Sequence, residues 1–186
     1  ELLPGTTSVH VLSVRNECKE LLFVVEREAD GREPSVRCIN FGLDGMQSFS
    51  FTLEEERSAV LVPAGQVGTY LYEPNASVLK AGAFKQIAVR TGVKKLQVNS
   101  HLYTSDHLVS DFPGRRFRVD EVLSFTGKLC KGLSKTIPQA NITVRNFPLS
   151  VEELRKRTKI TDGGHVYLFA TTLVDGEKVL VKCSKA

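Results

Sequence analysis

The stretch HVYLFATTLVDGEKVLVKC, residues 165–183, sets an Asp175-Gly176 pair between two apolar, β-branched runs. An Asp-Gly step takes up the left-handed backbone of a tight hairpin turn, so the segment reads as two antiparallel strands. The chain before it alternates in period. SVEELRKRTK reads as a helix opened by a capping box, with Ser150 at the N-cap and Glu153 three residues on. ANITVRNF reads as a strand and RRFRVDEVLSF as another. Between these two lies GKLCKGLSKTI, a short helix. Its Leu129 and Leu133 share one face, while Lys128, Lys131 and Lys135 run along a second, because offsets of three and four residues stack on a helix. The order β-α-β-α-β-β over residues 111–186 defines an α+β arrangement.

The first third reads as β. SVHVLSVR (8–15) and ELLFVVER (20–27) are strand-like runs flanking the polar NECKE, which suggests a hairpin or a close strand pair. ADGREP breaks the pattern, SVRCINF and SFSFTL follow as strands with GLDG as their turn, and LEEERSA is a short acidic helical turn. VPAGQVG is a loop and a boundary. In the middle, one helix is expected to start at Pro74 and stop at Gly92, with Ala76, Leu79, Ala83, Ile87 and Ala88 at helical spacing. KKLQV then reads as a strand and NSHLYTSDHLVSDFPG as an ordered loop.

Charge is uneven along this chain of 186 residues. Residues 1–110 hold 11 Lys and Arg against 13 Asp and Glu, and residues 111–186 hold 14 against 8. A basic second half points to a polyanionic partner, or to an ordinary solvated surface. Three sources of that charge stand out: Arg115, Arg116 and Arg118; Lys128, Lys131 and Lys135; and Arg155, Lys156, Arg157 and Lys159, preceded by Arg145 and Asn146. Phe112, Phe117 and Phe147 lie nearby, as core residues or as platforms for unpaired bases.

Other classes are disfavoured. No apolar run approaches the roughly 20 residues of a membrane helix, so no membrane partner is expected. The start resembles neither a signal peptide nor an initiating Met segment, as in a chain cut from a longer one. The four cysteines are widely spaced, which fits reduced thiols in the cytoplasm rather than a disulfide or zinc framework. His101, Asp106 and His107 lack a third metal ligand and read as loop residues. FGLDG and AGQVG do not sit between an apolar strand and a periodic helix, so they read as turns rather than cofactor cradles. No complete catalytic constellation is present. Cys18 has no nameable base beside it, so it does not read as a nucleophile.

YLYEPNASVLKAGAFKQIA, NSHLYTSD, FPGRRF and ITVRNFPLSVEELRKRTKITDGG resemble the C-terminal region of a bacterial family of class I S-adenosylmethionine-dependent methyltransferases that ends in a THUMP-like domain. NECKELL resembles that family's signature just upstream. The resemblance implies a β-rich segment, 1–67, ending a catalytic domain; a ferredoxin-like connecting segment, 68–110; and a THUMP-like RNA-binding domain, 111–186. It implies an accessory, substrate-recognition role in a methyltransferase that acts on RNA, with no catalysis by this chain alone. S-adenosylmethionine and the N-terminal catalytic domain would belong to the full-length protein. If 8–15 and 20–27 are the last strands of a methyltransferase sheet, NECKE lies at the ligand-binding edge, and Asn16, Glu17 and Lys19 are candidates for the substrate mouth. RNA contacts are expected at Arg115, Arg116, Arg118, Lys128, Lys131, Lys135, Arg145, Asn146, Arg155 and Lys156. The alternative is a structural or protein-interaction domain with no nucleic-acid role.

Overall fold

The computed structural model describes residues 3–27, 31–43 and 45–186. Parts of ADGREP and GLDG therefore lie outside the described residues. The chain forms two compact units, and it threads between them. One unit takes the chain as far as Leu61, then Pro74–Gly92 and Asp111–Arg115; the other takes Val62–Glu73, Val93–Ser110 and Arg116–Ala186.

In the first unit, β1 (Thr6–Val14), β2 (Glu17–Val25), β3 (Ser35–Gly42) and β4 (Gly45–Thr52) form a sheet in the order β2-β1-β3-β4. β1 runs antiparallel to β2 and parallel to β3, and β4 returns antiparallel to β3. Arg15 (φ 50°) and Asn16 (φ 63°) make the two-residue turn between β1 and β2 in the left-handed region, as a primed hairpin turn requires. Val9, Val11, Val36, Cys38, Phe49 and Phe51 alternate into the core. β2 departs from this pattern. Every one of its nine residues is exposed, including the unbroken apolar run Leu21 to Val25. Such a run belongs to a strand buried on both faces, yet here it occupies an edge.

α1 (Leu53–Ser58) carries a capping box: Thr52 Oγ1 accepts the Glu55 N–H (3.2 Å), and the Glu55 carboxylate accepts the Thr52 N–H (2.7 Å). The Thr52 N–H, and then the Arg90 guanidinium, hold the Glu55 carboxyl below its ordinary pKa. β5 (Tyr70–Pro74) follows, and then α2 (Ala76–Ala81) and α3 (Gln86–Thr91) stand where one helix was expected. Pro74 closes β5 instead of opening a helix, and Asn75 is the N-cap of α2. Gly82, at φ 79°, ends α2, its N–H bonding the Val78 and Leu79 carbonyls. Ala83 and Ile87 are buried all the same, so the 3.6-residue spacing marked a common core face rather than a continuous helix. The Glu56 carboxylate accepts the Phe84, Lys85 and Gln86 N–H groups at 2.8–3.1 Å and so satisfies the start of α3.

The second unit holds the larger sheet. Its remaining strands are β6 (Lys94–Lys95), β7 (Tyr103–Ser105), β8 (Gly114–Ser124), β9 (Asn141–Arg145), β10 (Tyr167–Thr172) and β11 (Lys178–Lys185), with α4 (Gly127–Thr136) after β8 and α5 (Val151–Thr158) after β9. The strand order is β6-β7-β5-β8-β11-β10-β9. KKLQV contributes only two strand residues, and the segment expected to be a loop contains β7, which is held by pairing on both sides with β5 and β6. From β8 onward the order β-α-β-α-β-β is the one the sequence led us to expect. The alternation along β10 and β11 separates two cores. Phe169, Val179 and Val181 join Leu71, Leu96, Leu102 and Phe117 on one face; Leu168, Ala170 and Leu180 join Leu133, Leu154 and Ile160 of the helical layer on the other.

Candidate nucleic-acid interface

α4 and α5 together carry Lys128, Lys131, Lys135, Lys156 and Arg157, all exposed. Thr126 Oγ1 caps α4 by accepting the Leu129 N–H (3.1 Å), and Cys130 and Leu133 are buried. That rotation leaves Lys128, Lys131 and Lys135 on exposed turns. α5 opens with the expected capping box, Ser150 Oγ accepting the Glu153 N–H (3.2 Å) and Glu153 accepting the Ser150 N–H (2.8 Å). These Ser150 contacts hold the Glu153 carboxyl below its ordinary pKa. Leu154 and Thr158 are buried, so Lys156 and Arg157 face outward. The two helices pack on one another, and Arg157 is close enough to act electrostatically on Cys130 of α4, opposing the upward push that burial gives the thiol. Among the described residues, Lys128, Lys131, Lys135 and Lys156 form no ion pair.

The structure sets other predicted cations to different work. Arg145 donates from Nε (3.2 Å) and Nη2 (2.9 Å) to Oε1 of Glu73, whose side chain is only 3% exposed. Asn146 sits in the left-handed region (φ 51°) just beyond β9, and its carbonyl accepts the Thr172 hydroxyl (2.7 Å). Arg155 bonds the carbonyls of Ala140 (3.2 Å) and Ile160 (3.3 Å) and pairs with Asp162, tying the end of α5 to the loops around it. Arg116 donates to the Ser110 carbonyl, whereas Arg115 and Arg118 are exposed on β8. Phe112 and Phe117 are fully buried, so they are core and not stacking platforms; Phe147 is half-buried edge-on against Phe125, with centroids 4.9 Å apart.

His101, in the left-handed region at φ 52°, has its pKa lowered to about 4, first by burial and then by the positive charges of Lys95 and Arg145. Below pH 6.5 the unfolded chain protonates this imidazole while the folded protein does not. Stability is therefore complete above about pH 6.5 and is lost as pH falls toward 4. A shift of this size would be about 3 kcal/mol at full burial, and on the order of 2 kcal/mol after discounting for partial exposure. We expect the midpoint of thermal unfolding to fall between pH 7 and 5, and His101→Gln to flatten that part of the profile. An unchanged slope in the variant would contradict the assignment.

In the NECKE stretch, Asn16 is held by the fold. Its N–H donates to Asn40 Oδ1 (3.1 Å), which also accepts the Ser13 hydroxyl (2.6 Å), and its own Oδ1 accepts the first N–H of α2, from Ala76 (2.7 Å). Glu17 and Lys19 pair with each other in solvent at 2.7 Å. Cys18 is exposed, and all four thiols are free. Burial pushes the Cys38 thiol up to about 12 and raises that of Cys183 as well.

In the glycine-rich segment FGLDG, Gly42 ends β3 and Gly45 opens β4, which pairs antiparallel to it. In AGQVG, a Cβ on Gly68 would fall 2.8 Å from the Ser105 carbonyl oxygen, so this glycine serves the close passage of β7 rather than a ligand. Among the described residues, no three His, Cys, Asp or Glu side chains gather as a metal site, and no helix is long and apolar enough to cross a membrane.

An α+β chain with a basic helical layer on a mixed sheet is thus defined, and comparison with known proteins gives its parts names. Residues 70–113 match a ferredoxin-like domain and residues 114–185 a THUMP domain-like family. The chain is also similar to a crystal structure from Porphyromonas gingivalis W83, of a protein provisionally named a methyltransferase. The similarity has a TM-score of 0.92 and 44% identity over 98% of this chain. The match spans 46% of that protein, about half its length. None of the curated proteins matches the chain.

Proposed function

We propose that this chain is the RNA-recognition portion of a class I S-adenosylmethionine-dependent methyltransferase that acts on RNA in the cytoplasm, and that it is catalytically silent alone. The observation that carries the reading is the set of exposed lysines on α4 and α5 within the THUMP-like domain. Clustered cations without internal partners are what a phosphate backbone needs. Lys128, Lys131, Lys135 and Lys156 make the main contacts, with Arg115, Arg116 and Arg118 contributing from β8. Arg145 and Arg155 chiefly position the strand and loop ends around them. The similarity to a provisionally named methyltransferase supports the catalytic context. In the full-length protein to which we assign this chain, the cofactor belongs to a separate catalytic domain, and Asn16, Glu17 and Lys19 border the substrate mouth.

Binding of a structured RNA is expected to weaken steeply with salt. Replacing Lys128, Lys131 and Lys135 together with Gln should weaken it by roughly one to two orders of magnitude at low salt and reduce the log–log salt slope by about two to three. A gel-shift titration of the 186-residue chain at several salt concentrations measures both. Binding that is absent or indifferent to salt would favour the second reading, a protein-interaction domain, which the exposed apolar β2 supports.

A further inference from the structure

An open groove of about 530 Å³ runs between the end of β8 and α4, with Leu123, Leu129, Leu133 and Gly132 in its walls and Lys128 and Thr136 at its sides. Each of its hydroxyls has one partner within the protein. Thr126 Oγ1 accepts the Leu129 N–H, Thr136 donates to the Leu133 carbonyl (3.1 Å), and Ser124 donates to Glu177. The walls offer an occupant apolar surface, the remaining hydrogen-bonding capacity of these hydroxyls, and one charged group, the Lys128 ammonium. Lys131 and Lys135 continue the positive charge along the adjoining helical strip.

Gly132 lies inside α4, where glycine costs about 1 kcal/mol relative to alanine. The protein's own packing does not account for it: the helix is ordinary there, and a Cβ would meet no atom within 4 Å. What the glycine keeps open is the groove. An occupant matched to these walls brings a largely apolar body and an anion beside it, and the volume is in the range of small-ligand sites.

We infer that this groove holds one unpaired nucleotide of the RNA, its base against Leu123, Leu129 and Leu133 and its phosphate on Lys128. The inference rests on the RNA-binding reading and deepens it. A paired, stacked base cannot enter it, so the groove discriminates unpaired from paired nucleotides.

The test compares a fluorescently labelled, unstructured RNA of about ten nucleotides with a duplex of the same length, using the 186-residue chain. Gly132→Leu fills the groove while raising helix propensity. It should keep the unfolding midpoint or raise it, weaken the unpaired RNA about tenfold, and leave the duplex unaffected. In the unsubstituted protein, the methyl NMR signals of Leu123, Leu129 and Leu133 should shift with the unpaired RNA and not with the duplex, a reading that does not depend on the variant folding. Undiminished affinity in Gly132→Leu, or methyl signals that do not move, overturns the groove assignment. Binding of the duplex alone also overturns it but leaves the RNA reading intact. Binding of neither RNA removes both.

Discussion

Leu22→Lys is expected to leave the 186-residue chain folded, with an unfolding midpoint close to that of the parent, and, on the function proposed above, to destabilise the longer protein that carries it by several kcal/mol. Leu22 is 45% exposed at the sheet edge and lies opposite His10 of β1. A lysine there keeps its ammonium in water and blunts an edge that invites strand pairing, so the chain should also associate less in gel filtration. In the longer protein we propose that β2 lies inside a continued sheet, which explains its composition: Leu21 to Val25 is apolar on both faces. Burying an unpaired ammonium there carries the cost of removing a charge from water. Equal tolerance of the substitution in both proteins would remove this proposal. The same protein tests the mouth residues: if Glu17→Gln with Lys19→Gln leaves methyl transfer unchanged, they have no part in it.

Arg145→Ala is expected to cost on the order of 3 kcal/mol, lowering the unfolding midpoint of a chain this size by roughly 6–12 °C. Glu73 is almost wholly buried and takes two guanidinium N–H bonds from Arg145 on a single oxygen. Removing the guanidinium withdraws both from a carboxylate that water does not reach, and breaking a buried pair costs more than the pair contributes. Arg145→Lys should fall between, since an ammonium keeps the charge but not the planar fork. Calorimetry or circular dichroism at neutral pH measures the shift. An unaltered midpoint in Arg145→Ala would show that Glu73 does not depend on it. At temperatures where both variants are folded, Arg145→Lys should disturb RNA binding less than Lys128→Ala, because Arg145 spends its charge inside the protein.

The α+β class and the order of elements from β8 to β11 were legible from the residues, because each rests on short-range signals. Asp175-Gly176 needs only its own backbone freedom, Ser150 and Glu153 cap within one turn, and Leu129 and Leu133 fall on one face by helical geometry alone. The break at Gly82 was missed because a buried face can keep helical spacing across two helices. β7 was missed because three residues carry too short a pattern to register.

For the candidate interface the division follows the same physics. The sequence by itself placed Lys128, Lys131 and Lys135 along one side of a helix, since the rotation per residue fixes that. Only the tertiary structure decided which cations are spent: Arg145 meets Glu73 across a separation of 72 residues, and Arg155 is drawn into the loop at Asp162. It also decided that an apolar strand stands at an edge and that a glycine opens onto a groove. Periodicity and caps act over a few residues, whereas pairing and burial depend on which distant segments the fold brings together.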